Sequence, residues 1–153
     1  MIKNKILFEI IWWCATAVVV ATVMLPIWRT FPTFPYQQIN IIYIAAFITF
    51  TRYAFLLKYT FLADANYIKI GFILFTLTIV AWLLFSMQDF QIWREQGDLD
   101  KMLPNMSYQK RESILSYLKS EFVFFAIGSI IAALFLAGRL FFSFRRGRNS
   151  IKD

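Results

Sequence analysis

The sequence predicts an all-α integral membrane protein with four transmembrane helices, the third and fourth extended into an extracytoplasmic helical hairpin. Three observations predict it. The chain of 153 residues is 59% hydrophobic and 20% aromatic but 16% charged, with a mean hydropathy of +0.59, whereas a soluble domain carries about 25% charged residues. Uncharged stretches run from 10 to 28, from 70 to 88 and from 122 to 138. Each is close to the ~20 residues that a helix needs to cross a ~30 Å hydrocarbon layer. Finally, the segment 89–120 is far longer than the few residues that usually join packed helices.

The first span is expected at about 6–27. Lys3 and Lys5 precede it, and Ala15, Thr16 and Ala17 have the form of a signal-peptidase site. Trp12 and Trp13 crowd that site and Glu9 interrupts the apolar run, so the segment reads as a retained span. Pro32 and Pro35, set among Phe31, Phe34 and Tyr36, mark a short interfacial turn. The second span, about 38–58, is apolar apart from Asn40, Thr49, Thr51 and Arg52. Its stretch before Arg52 is too short to cross alone, so the span contains the arginine. A brief turn around 63–66 leads to the third span, about 68–88.

From there, helix is expected to continue through Phe90, Trp93 and Glu95, with Gly97 as a C-terminal stop. It resumes after Pro104 and Asn105 and runs through Tyr108, Ile114, Leu115 and Leu118 into the fourth span, about 121–142. The two arms form a projecting hairpin over 89–120, with Trp93, Gly97, Pro104, Asn105 and Ile114 as partner-contact positions. The competing arrangement is an amphipathic helix lying flat on the membrane. A basic tail over 143–153 completes a single four-helix membrane domain, its Arg145, Arg146 and Arg148 anchoring to anionic lipid.

Orientation follows from the basic residues. Lys3, Lys5, Lys58, Lys69, Arg145, Arg146, Arg148 and Lys152, with Arg52 and Arg139 leaning the same way, outnumber Arg29, Arg94, Lys101, Lys110, Arg111 and Lys119. Both termini are therefore expected in the cytoplasm. The richness in Ile, Phe and Lys suits an AT-rich bacterial genome and hence a bacterial inner membrane.

Chemistry is constrained by what the chain contains. It has no histidine, one cysteine and nine carboxylates. This excludes His-ligated haem, His-based metal sites, a Ser-His-Asp triad and an intrachain disulfide. An intramembrane aspartate dyad needs two carboxyls at one depth, but Asp64 and Asp89 fall on opposite faces of the bilayer. Asp98 and Asp100 share a charged loop with Lys101. No catalytic residue, metal or cofactor is expected, and no nucleic acid partner.

Contacts remain. Gly128, Ser129, Ala132, Ala133 and Ala137 recur at four-residue spacing in the fourth span, and small residues let helices approach closely in lipid. Glu9 and Arg52 lie about 11 and 6 Å to the cytoplasmic side of the midplane at 1.5 Å per residue. That similarity in depth predicts a structural ion pair. The expected function is a non-catalytic accessory or scaffold subunit packed against larger membrane-protein subunits. The alternative is a small oligomeric transporter or channel component, assembled from copies of this chain.

Cysteines placed at Asn105 and Asn149 in a Cys14→Ala background should react with an impermeant thiol reagent from opposite sides of the membrane. Equal protection at both positions would contradict the orientation.

Overall fold

The computed structural model describes residues 2–57, 60, 66–95 and 107–149. They form α1 (Ile2–Thr30), α2 (Gln37–Leu56), α3 (Asn66–Glu95) and α4 (Tyr108–Asn149). All four are long and apolar enough to cross a membrane. The expected tip positions Gly97, Pro104 and Asn105 lie outside the described residues. The tail expected from 143 begins as helix, because α4 continues to Asn149.

α4 is the hub. It packs most extensively on α2, then on α3, while α1 lies mainly against α2. Residues in contact give the directions. Asn40 meets Glu121, Phe47 meets Gly128 and Ala54 meets Arg139, so α2 and α4 run parallel in nearly constant register. By the same reasoning α1 is antiparallel to α2, through Met24 with Asn40 and Glu9 with Arg52. α3 is antiparallel to α2, through Tyr43 with Leu83 and Tyr53 with Phe72.

The parallel α2–α4 pair explains why the small residues of α4 are where they are. Ala126, Ser129, Ala133 and Leu136 are fully buried, with Ala132 and Ala137 nearly so. A methyl group at Gly128 would lie 2.9 Å from Cδ2 and Cε2 of Phe47. The small-residue stripe is thus buried within the chain's own bundle, with Phe47 of α2 seated at Gly128. Large residues at the alternate positions, Phe124, Ile127, Ile131, Leu134 and Phe135, face outward. So do Trp13, Val18, Phe75 and Phe85, the last 69% exposed. A continuous apolar exterior of this kind suits lipid and would aggregate in water.

Hydroxyls inside the helices are satisfied locally, as an apolar solvent requires. Thr16 donates to Trp12 O at 2.8 Å, Thr76 to Phe72 O at 2.7 Å and Ser86 to Trp82 O at 3.0 Å. The turn at 31–36 is also tied in. Gln37 Nε2 donates to Pro32 O at 2.6 Å, and Phe31 and Phe34 are buried rather than spread at an interface. Phe34 and Tyr36 pack on Phe90 and Trp93 of α3.

Gly128→Ala should destabilise the protein by about 1–3 kcal/mol, because the added methyl overlaps the Phe47 ring. Gly71→Ala and Gly138→Ala meet nothing within 4 Å and should be neutral or stabilising by up to about 1 kcal/mol. Thermal unfolding in one detergent compares all three. Equal behaviour would mean that α4 does not approach α2 this closely.

Candidate functional site

Polar side chains concentrate at two depths. At the end of the bundle where α1 begins, Arg52 Nη2 of α2 contacts Glu9 Oε2 of α1 at 2.5 Å. The arginine side chain is 3% exposed and the glutamate 18%. The Tyr53 hydroxyl donates to Glu9 Oε2 at 3.3 Å, and the Arg52 guanidinium lies 4.4 Å from the centre of the Tyr53 ring. One turn of packing away, Arg139 of α4 donates to the backbone oxygen of Ala54. The two charges that the depth arithmetic pairs are therefore brought together, and a neighbouring tyrosine adds both a donor and a π face. Breaking such a pair by removing one partner leaves a buried charge uncompensated.

At the other end, near the 31–36 turn, a second cluster joins three helices. Asn40 of α2 is fully buried, and its Nδ2 donates to Glu121 Oε2 of α4 at 2.7 Å. The same amide nitrogen lies 3.4 Å from Met24 Sδ of α1. Glu121 is 8% exposed. Its other oxygen, Oε1, is buried with no hydrogen-bond partner among the described residues, as is Asn40 Oδ1. Beside it opens a groove of about 430 Å³ lined by Val23, Tyr117, Ser120, Glu121, Phe124 and Phe125. The Tyr117 hydroxyl donates to Val23 O at 2.9 Å, closing the groove's rim between α4 and α1.

Asn40 and Glu121 are the pair that sequence reasoning missed. The signal was present: Asn40 lies just inside the expected second span and Glu121 opens the fourth. The depth arithmetic that pairs Glu9 with Arg52 puts these two at one level as well.

Of the positions expected on the hairpin, Trp93 and Ile114 are described, and both are half-buried. Trp93 joins an aromatic cluster with Phe34, Tyr36 and Phe90, at ring separations of 5.8, 5.2 and 6.1 Å. Phe90 stacks on Phe122 of α4 at 3.7 Å, and Ile114 packs against the core. The Tyr36 hydroxyl donates to Asp89 O at 3.3 Å. Burial, followed by the Asp89 charge, raises its pKa above the ordinary tyrosine value, so it remains a donor. Arg145 is exposed, whereas Arg146 and Arg148 continue the α4 backbone with side chains outside the described set.

Among the described residues, no group of three or more His, Cys, Asp and Glu side chains is placed to hold a metal ion. Comparison with protein-family models, curated proteins and solved structures finds no match.

Glu9→Gln and Arg52→Gln should each lower stability, while the double variant should lose less than the sum of the two. Detergent unfolding of the four proteins measures the coupling, expected at about 0.5–3 kcal/mol. Strict additivity would show that the two side chains do not meet.

Proposed function

We propose that this chain is a non-catalytic accessory or scaffold subunit of a larger bacterial inner-membrane complex. It works through helix packing and a hairpin projecting on the extracytoplasmic side, with both termini in the cytoplasm. The observation that carries the reading is helix length. α3 has 30 residues and α4 has 42, which at 1.5 Å per residue is about 45 and 63 Å. Both exceed the ~30 Å hydrocarbon layer. Their surplus is stiffened at the 31–36 end, where Phe90 stacks on Phe122 and Trp93 packs on Tyr36. A paired helical extension of this kind offers a rigid surface for another subunit.

The position of α1 supports the same reading. It is held mainly by α2, leaving Ile10, Ile11, Trp13, Val18 and Val19 exposed along its length. Larger membrane subunits would cover such a face by van der Waals packing, the principal attraction between helices in lipid. The Arg145, Arg146 and Arg148 tail adds affinity for anionic lipid at the cytoplasmic surface.

Purification in mild detergent followed by mass spectrometry should recover the chain with a fixed set of larger membrane subunits at constant stoichiometry. A chain that purifies alone and drives substrate-coupled proton movement in liposomes would replace this reading with the transporter.

A further inference from the structure

We infer that the groove between α1 and α4 binds one phospholipid through a primary-ammonium headgroup, with Glu121 as the acceptor. The inference rests on the helices lying in a bilayer and not on the scaffold role. Glu121 is more than nine-tenths buried, and Asn40 occupies only one of its carboxylate oxygens. Oε1 has no donor among the described residues, although a buried carboxylate oxygen left unpaired is costly. Glu121 itself lines the groove, so a ligand seated there lies beside the residue that carries the unpaired, buried oxygen.

Three features select the ligand. The first is charge: none of the six lining residues is cationic and one is a carboxylate, so the complementary headgroup is positive. The second is hydrogen bonding, since an unpaired acceptor calls for N–H donors. A primary ammonium has three, whereas a quaternary ammonium has none. The third is the wall, where Tyr117, Phe124 and Phe125 provide aromatic faces that attract ammonium groups and apolar area for an acyl chain. A volume of about 430 Å³ suits a headgroup and the start of its chains.

Depth identifies the source as a lipid. Glu121 opens the fourth expected span, where hydrocarbon gives way to headgroups. Phe124 and Phe125 lie one turn further into the apolar layer, and Phe124 is exposed along the α4 face. An ammonium at Glu121 thus leaves its acyl chains running beside α4, parallel to the other lipid tails. A free organic cation would forgo that contact.

The test uses the full chain in nanodiscs containing equimolar phosphatidylethanolamine, phosphatidylcholine and phosphatidylglycerol with matched acyl chains. After release into mild detergent, native mass spectrometry counts the retained lipid. One phosphatidylethanolamine per chain is expected, at least about fivefold enriched over each competitor, in keeping with a charge-assisted hydrogen bond. Glu121→Gln keeps an oxygen for Asn40 but removes the charge, and should abolish the enrichment. Ser120→Trp fills the groove while leaving Glu121 intact, and should do the same. Soluble ethanolamine should not displace the bound lipid.

Equal retention of the ethanolamine and choline lipids, or enrichment surviving in both folded variants, would overturn the site. Displacement by soluble ethanolamine would overturn the lipid as its ligand. Failure to enter nanodiscs would instead overturn the membrane placement on which the proposal rests.

Discussion

The close approach of α4 to α2 is the constraint on which the remaining structure depends. Lipid tails are as apolar as leucine, so water exclusion does not hold helices together in a bilayer. Packing, hydrogen bonds and lipid entropy do so instead. A Gly128 hydrogen in place of a methyl lets Phe47 lie against the α4 backbone. Ala126, Ser129 and Ala133 then bury completely. With α4 seated in this way, α3 packs on its other flank through Phe90 and Phe122, and α1 is added to the outside of α2.

Packing alone leaves rotation and sliding weakly specified, and the two polar clusters fix both. They sit near opposite ends of the bundle: Glu9, Arg52 and Tyr53 at one, Asn40, Glu121 and Met24 at the other. α1 and α2 contribute to both clusters, so the two contacts together set the axial position of α1, whose own packing is slight. The chemistry differs between the ends. Arg52 and Glu9 neutralise one another, making that cluster self-contained in charge. Glu121 has only a neutral amide, which leaves its charge unbalanced by any described residue that contacts it. That asymmetry makes one end a structural clasp and the other a place where a cation can be received.

Much of this arrangement was legible in the sequence because lipid restricts the possibilities so severely. Uncharged runs located α1, α3 and the inner part of α4, and Arg52 had to be included in α2 for it to span. Alternation of direction and a 1.5 Å rise per residue then placed Glu9 and Arg52 at similar depth. The small residues of α4 announced a close contact, but not whether α2 or another protein would fill it. Phe47 settled that, and no pattern in α2 singles it out. The 31–36 segment was read as a short interfacial turn, and a turn joins α1 to α2 there. Phe31 and Phe34 are buried, and Phe34 packs on Phe90 and Trp93, in the stretch of α3 where helix was expected to continue. Glu121 is the first residue of the expected fourth span, and Asn40 lies just inside the second; only a comparison of their depths would have paired them.

We expect α4 to stand in a bilayer with one face packed as the hub and the other in lipid. Spin labels placed singly along α4 in reconstituted vesicles test it directly, through collision with oxygen, which favours the bilayer interior, and with a polar nickel chelate, which favours water. Labels at Ile127, Ile131, Leu134 and Phe135 should be accessible to oxygen and shielded from nickel. Those at Ala126, Ser129, Ala133 and Leu136 should be shielded from both, with nickel access returning at Gln109 and Glu112. A profile without helical periodicity, or nickel access at Ile131, would contradict the account.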